Sequence, residues 1–159
     1  MPRRALLSLI PTPSSQDDGA VGLTGPECDA LRELALRPTY GLHHAPDIGV
    51  DAMLSNATAW LQTAEITSAA NAGRIPPGLR REIVELLNEA IPESVLDLES
   101  SAESRDRWRA GDAGQGFPDL GAGETEAVYS ELIGGEQRHA EALRSISAKL
   151  ELTWDAPAL

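Results

Sequence analysis

The sequence predicts a mainly α-helical protein: a compact bundle of four to five helices, with extended N- and C-terminal arms and room for a short β-ribbon. Three observations carry this. Apolar residues recur every three or four positions over several long stretches, the period of one helix face. Pro and Gly cluster between those stretches and interrupt them. The chain is 42% hydrophobic but only 4% aromatic, so its interior must be built from Leu, Ile, Val and Ala. Its 159 residues match the usual size of one domain. Nothing in the pattern supports a sandwich, a barrel or a doubly wound sheet.

Taken in order, residues 5–10 (Ala-Leu-Leu-Ser-Leu-Ile) form a short apolar run ended by Pro11 and Pro13, which reads as a strand or docking arm. Residues 11–25 are rich in Pro, Ser, Asp and Gly and read as a linker, so 1–25 is an N-terminal arm and linker. Thr24 fits the N-cap of a first helix that Pro26 and Glu27 enter and that runs to about Arg37, where Pro38 stops it. A loop with His43 and His44 follows. The second helix spans about 50–72, with Met53, Ala57, Trp60, Leu61 and Ala64 at helical spacing along one face, and Asn71-Ala72-Gly73 ends it.

Pro76 and Pro77 open a third helix with the stripe Leu79, Ile83, Leu86, Leu87 and Ala90. Pro92 either kinks it or begins a fourth, and Val95, Leu98 and Ala102 continue a weaker stripe. Residues 109–123 hold five glycines and read as a flexible loop. The last long helix covers about 124–150, with Val128, Leu132, Gly135, His139, Leu143, Ile146 and Leu150 as its inward seam. Residues 26–150 thus form the helical domain and 151–159 a tail. Where the domain passes into that tail, Leu150-Glu151-Leu152-Thr153-Trp154 alternates like a strand, with the N-terminal run as one mate open to it.

Charge narrows the functional classes. A net charge of −12 repels phosphate backbones and anionic lipid surfaces, so direct nucleic-acid contact and membrane binding are not expected. No apolar run reaches the roughly 20 residues of a membrane span. The single cysteine, Cys28, excludes an intrachain disulfide framework. Its place in a first helical turn favours a thiolate, but no histidine partner is evident from the sequence. There is no nucleophile turn, no dinucleotide fingerprint and no cysteine-based zinc pattern. The glycine-rich stretch does not follow a strand, lacks a Gly-Lys-Ser/Thr ending and carries Asp112 and Asp119, so it is no phosphate loop. A location in the cytoplasm, or in a particle assembled inside a cell, is expected.

The sharpest local motif is Glu136-Gln137-Arg138-His139. Three residues apart on a helix, a carboxylate and an imidazole share a face and can bind one metal ion. The stretch Glu136 to Leu143 resembles the metal-binding helix of the ferritin-like and rubrerythrin-like di-iron carboxylate proteins. That resemblance implies Glu136 and His139 as ligands, a Glu from another helix such as Glu65 completing the set, and iron or manganese as the metal. The chain has one Glu-x-x-His segment where a full site needs two, so the implied site is shared across a homodimer. Gly134-Gly135 and Pro92 also depart from that family's helices. The structural alternative makes His139 a hydrogen-bonded core or boundary residue and Glu136 a solvated charge.

His43 and His44, with Asp47 close by, form a second cluster whose side chains can point to one ion. Two neighbouring histidines without a second fixed pair are a weak metal signal, and loop packing or a contact sensitive to pH near 6–7 is the expected reading. Glu99, Glu103, Arg105, Asp106 and Arg107 read as a solvated helical face. Trp60 and Trp108 are core or interface anchors, and Trp154 suits an interface contact on a terminal arm.

Two functions follow. The first is a non-catalytic interaction or assembly protein without a cofactor, binding another protein, or its own copies in a homo-oligomer or larger assembly, through terminal arms bearing Leu7, Leu9, Leu152 and Trp154. The second is the metal-binding helical protein with Glu65, Glu136 and His139 as ligands.

Overall fold

The computed structural model describes residues 19–42 and 49–154, with side chains as far as Glu151. Leu7, Leu9, His43, His44 and Asp47, and the side chains of Leu152 and Trp154, lie outside what is described. Within those bounds the chain is mainly helical: strand β1 (Val21–Gly22), helix α1 (Gly25–Leu34), a 3-10 turn at Arg37–Thr39, helix α2 (Val50–Ala72), strand β2 (Arg74–Ile75), a 3-10 turn at Pro77–Leu79, and helices α3 (Arg80–Arg109) and α4 (Ala122–Trp154).

Helix α1 begins at the expected cap. The Thr24 N–H donates to Glu27 Oε2 at 2.8 Å, the carboxylate half of a capping box, and the Cys28 N–H donates to the Thr24 carbonyl at 2.9 Å. The helix ends three residues earlier than Arg37, because the chain tightens into the 3-10 turn that contains Pro38. Helix α2 ends at Gly73, whose φ of 71° is the left-handed conformation that glycine takes at least cost.

Strand β2 follows at once and pairs antiparallel with β1, Val21 opposite Ile75 and Gly22 opposite Arg74. So short a ribbon is marginal alone. Here the Leu23 N–H donates to the Gly73 carbonyl at 2.9 Å, Lys149 Nζ donates to the Gly22 carbonyl at 3.1 Å, and Val21 and Ile75 are buried. The C-terminal part of the expected linker is therefore a structural element.

This is not the ribbon the sequence suggested. Residues 150–154 continue α4 instead of forming a strand. Leu150 lies in helical phase with the buried Leu143 and Ile146, and no Gly or Pro intervenes to stop the helix before its end at Trp154.

Helix α3 runs unbroken through Pro92, so the described residues hold four helices, one short (α1) and three long. The proline removes one N–H from the interior of the helix, a position that costs about 3 kcal/mol. Its exposed side keeps the ring out of the core, and packing along the rest of the helix offsets the loss. Ion pairing of Arg109 with Glu126 and a Ser101–Glu136 hydrogen bond show α3 and α4 lying antiparallel.

The core gathers where α1, the C-terminal half of α2, the ribbon, α3 and α4 meet: Leu31, Ile66, Ile75, Ile83, Leu87, Leu143, Ile146 and Leu150 are fully buried. Each such side chain contributes roughly 1.5–3 kcal/mol of transfer free energy. The expected stripe of α3 is confirmed at Ile83, Leu87 and Ala90. In α4 the seam is right from Leu143 onward, but its first half is carried by Thr125 and Tyr129, and Leu132 is 44% exposed.

Among the described residues no helix is long and apolar enough to cross a membrane.

Candidate functional site

Three regions hold the side chains that chemistry or recognition would use: a cleft between α1, α3 and α4, the tethered glycine loop, and the outer side of α2.

The cleft has a volume of about 680 Å³. Leu34 and Ala90 form apolar wall, and Glu33, Glu93, Asp97 and Glu136 make it acidic. Arg37, from the 3-10 turn, is mostly buried and makes a two-pronged contact with Glu93: Nη1 to Oε2 at 2.8 Å and Nη2 to Oε1 at 3.0 Å. Hydrogen bonding to Glu93 holds the guanidinium pKa above its ordinary value, and the same contact holds the Glu93 carboxyl below its own. The guanidinium also lies 5.9 Å from the Tyr40 ring centroid. Arg37 thus joins the end of α1 to α3.

Glu136 and His139 share a face of α4, as their spacing predicts, but they serve different neighbours. Glu136 Oε1 accepts from Ser101 Oγ on α3 at 2.9 Å, while its buried Oε2 has no hydrogen-bond partner. His139 Nδ1 lies 3.3 Å from Glu33 Oε2 on α1. Glu65 is exposed on α2. Among the described residues no three His, Cys, Asp or Glu side chains are grouped so as to hold a metal ion, so Glu65, Glu136 and His139 are not brought together within one chain. Within the cleft the Ser94 hydroxyl donates to the Ile91 carbonyl at 2.7 Å.

One carboxylate is strongly perturbed, outside this cleft. Glu27 is buried at the start of α1. Its Oε2 accepts from the Thr24 N–H and, at 2.6 Å, from Lys149 Nζ, and its Oε1 accepts from Ser145 Oγ at 2.5 Å. Burial alone would raise its pKa; the hydrogen bonds from Lys149, Ser145 and Thr24, with the Lys149 charge, outweigh burial and bring it to about 2. This clasp ties α1 to α4 and to the ribbon.

The expected glycine-rich loop 109–123 is shorter in the structure: Arg109 closes α3, Ala122 and Gly123 open α4, and residues 110–121 between them are a run of turns with several tethers. Arg107 grips Asp112 Oδ2 at 2.6 and 2.9 Å. The Gly116 N–H donates to Tyr129 Oη at 3.1 Å. Gly116 has φ of 95°, and a Cβ there would stand 2.5 Å from Trp108 Cδ1. Trp108 and Phe117 flank Tyr129, with ring centroids 5.8 and 5.4 Å away. Trp108 is therefore a packing anchor of this loop.

Comparison with protein-family models, with curated proteins and with solved structures finds no match. The reading of function therefore rests on this chain's own surface.

The apolar stripe expected on the second helix is present, but it faces away from the core. Val50 is 71% exposed, Met53 57%, Leu54 60%, Trp60 57% and Leu61 61%, with Ala57 and Ala64 exposed between them. The buried residues of the same helix are Thr63, Ile66, Ala69 and Ala70. At 3.6 residues per turn the two sets lie on opposite sides. The periodicity identified the stripe; it missed Val50 and Leu54, and could not tell which side the core would take. The overlooked signal is that α2 is apolar on both sides, the composition of a helix covered all round. Between Ala52 and Ala64 it carries no charged residue, in a chain of net charge −12.

Proposed function

We infer that this chain is a non-catalytic docking module that binds protein through the outward face of α2. The observation that carries the reading is the uncharged, heptad-spaced row Val50, Met53, Leu54, Ala57, Trp60, Leu61 and Ala64, largely open to solvent. Other exposed apolar residues, such as Leu96 on α3 and Leu132 on α4, stand on other helices, as scattered residues do on ordinary surfaces. The row on α2 is contiguous over four turns and contains Trp60, a residue type enriched at binding hot spots. Helix-in-groove and helix-on-helix recognition read such anchors at i, i+3, i+4 and i+7. The anchor belongs to α2 in this reading and does not require the terminal arms.

A photo-crosslinking residue placed at Leu61, or as a control at Glu85 on the exposed side of α3, tests it in cells that produce the full chain. Protein adducts from position 61 and none from position 85 are expected. No adducts from 61, or equal labelling from both, would overturn the reading.

A further inference from the structure

We propose that the partner seated on this face is a second copy of the same chain, paired antiparallel along α2 across a two-fold axis at Ala57. The proposal rests on the docking reading above and names its occupant.

The spacing carries it first. A two-fold contact needs one patch that complements itself, so that residue i meets j where j meets i. Positions 50, 53, 54, 57, 60, 61 and 64 read identically in both directions from 57. Laid antiparallel about Ala57, the two helices set Leu54 against Leu61 on one flank and Met53 against Trp60 on the other. Val50 falls against Ala64, and Ala57 meets its own copy. All seven positions find an apolar partner, and the small residue at the axis lets the helices come to the near end of the usual 8–10 Å separation.

Charge points the same way. The molecule's acidity would attract a basic partner elsewhere on its surface, but this face has no carboxylate to offer one. Asp51 and Glu65 only frame its ends. An uncharged seam is what two chains of −12 need in order to touch without placing like charges inside the contact. Extent is sufficient too. Doubled across the axis, five large side chains more than half exposed, with the alanines between them, approach the low end of the roughly 1,200–2,000 Å² that specific interfaces bury.

The test uses the full chain. Sedimentation velocity over micromolar to sub-millimolar concentration should show a reversible shift to twice the chain mass. Trp60→Glu with Leu61→Glu should weaken it by at least about a hundredfold while leaving helicity unchanged. In a Cys28→Ser background, Ala57→Cys should form an intermolecular disulfide readily, because the axis brings the two positions together. Met53→Cys should not, because antiparallel pairing holds the two copies of residue 53 roughly 12 Å apart along the helix.

Equal crosslinking from both positions would overturn the antiparallel arrangement. A chain that stays monomeric while position 61 still yields adducts with other proteins would overturn self-pairing and leave the docking reading standing. A monomer without adducts would overturn both. A monomer that dimerises once residues 1–18 are removed would assign the face to that segment and overturn the proposal for the intact chain.

Discussion

The start of α1 and the outer side of α2 treat their side chains in opposite ways. At Glu27 a buried carboxylate has both oxygens satisfied, by Thr24, Ser145 and Lys149, so the cost of taking charge out of water is met within the chain. On α2 five large apolar side chains are more than half exposed, with no described residue of the chain covering them. The contrast separates what closes the fold from what is surplus to it. The ribbon, α1, α3, α4 and the inner side of α2 supply the interior, and the outer side contributes nothing to it.

The comparison breaks most easily at the core. Leu143→Ala should cost about 2–5 kcal/mol, because a fully buried leucine leaves a cavity. Urea denaturation at fixed protein concentration measures this. A loss under 1 kcal/mol would mean that α4 does not hold the interior together.

The clasp comes next. Glu27→Gln should cost about 1–3 kcal/mol at neutral pH, since it removes the charge of a buried carboxylate paired with a part-exposed lysine and weakens three hydrogen bonds. The pH dependence has a definite sign. The folded-state pKa of Glu27, about 2, lies below its ordinary 4.5, so its contribution is complete above that ordinary value and is lost as pH falls from about 4.5 towards 2. Wild type and variant should converge across that window. A gap that stays constant down to pH 2 would remove the charge from the explanation.

Gly116→Ala is expected to cost about 1–3 kcal/mol, from left-handed backbone strain and the contact its Cβ would make with Trp108. Differential scanning calorimetry with near-ultraviolet circular dichroism should show a lower Tm and a changed tryptophan signal.

On the outer side of α2 the sign of the expectation reverses. Trp60→Glu should change the stability of the dilute monomer by no more than about 0.5 kcal/mol, while abolishing any dependence of Tm on protein concentration. A large loss at high dilution would show that the face matters to the monomer itself.

The smallest effect concerns metal. Protein purified without chelator should carry no stoichiometric iron or manganese by elemental analysis, and added metal should leave Tm unchanged. Bound metal near one equivalent would return Glu136 and His139 to the role that their spacing suggests.

How far these features were legible depended on whether the signal was local. The cap at Thr24, the glycine stop at residue 73 and the span of α2 are written in adjacent residues, and they were readable. So was the stripe of α3, because Ile83, Leu87 and Ala90 have few alternatives. Three things were not. The two-residue strands at 21–22 and 74–75 are too short to show a period, and their pairing depends on the turn that Gly73 makes. The segment 150–154 fits both alternation and helix, and Leu150 packing in phase with Ile146 decides between them. The direction in which α2 turns its tryptophan depends on which side α1 occupies, a fact held many residues away. The pair Glu136 and His139 shows the same limit at a candidate site. Spacing placed them on one face, but Ser101 and Glu33, from two other helices, determine what each of them does.

The bare stretch of α2, set in so acidic a molecule, has a consequence for ionic strength. Two such molecules repel over about 30 Å in 0.01 M salt, but over only about 8 Å at 0.15 M, as counterions screen them. The seam itself has no charge for salt to weaken. Pairing through it should therefore tighten as salt is added, the opposite of a complex held by ion pairs, and a simple titration with sodium chloride reports which kind of contact this helix makes.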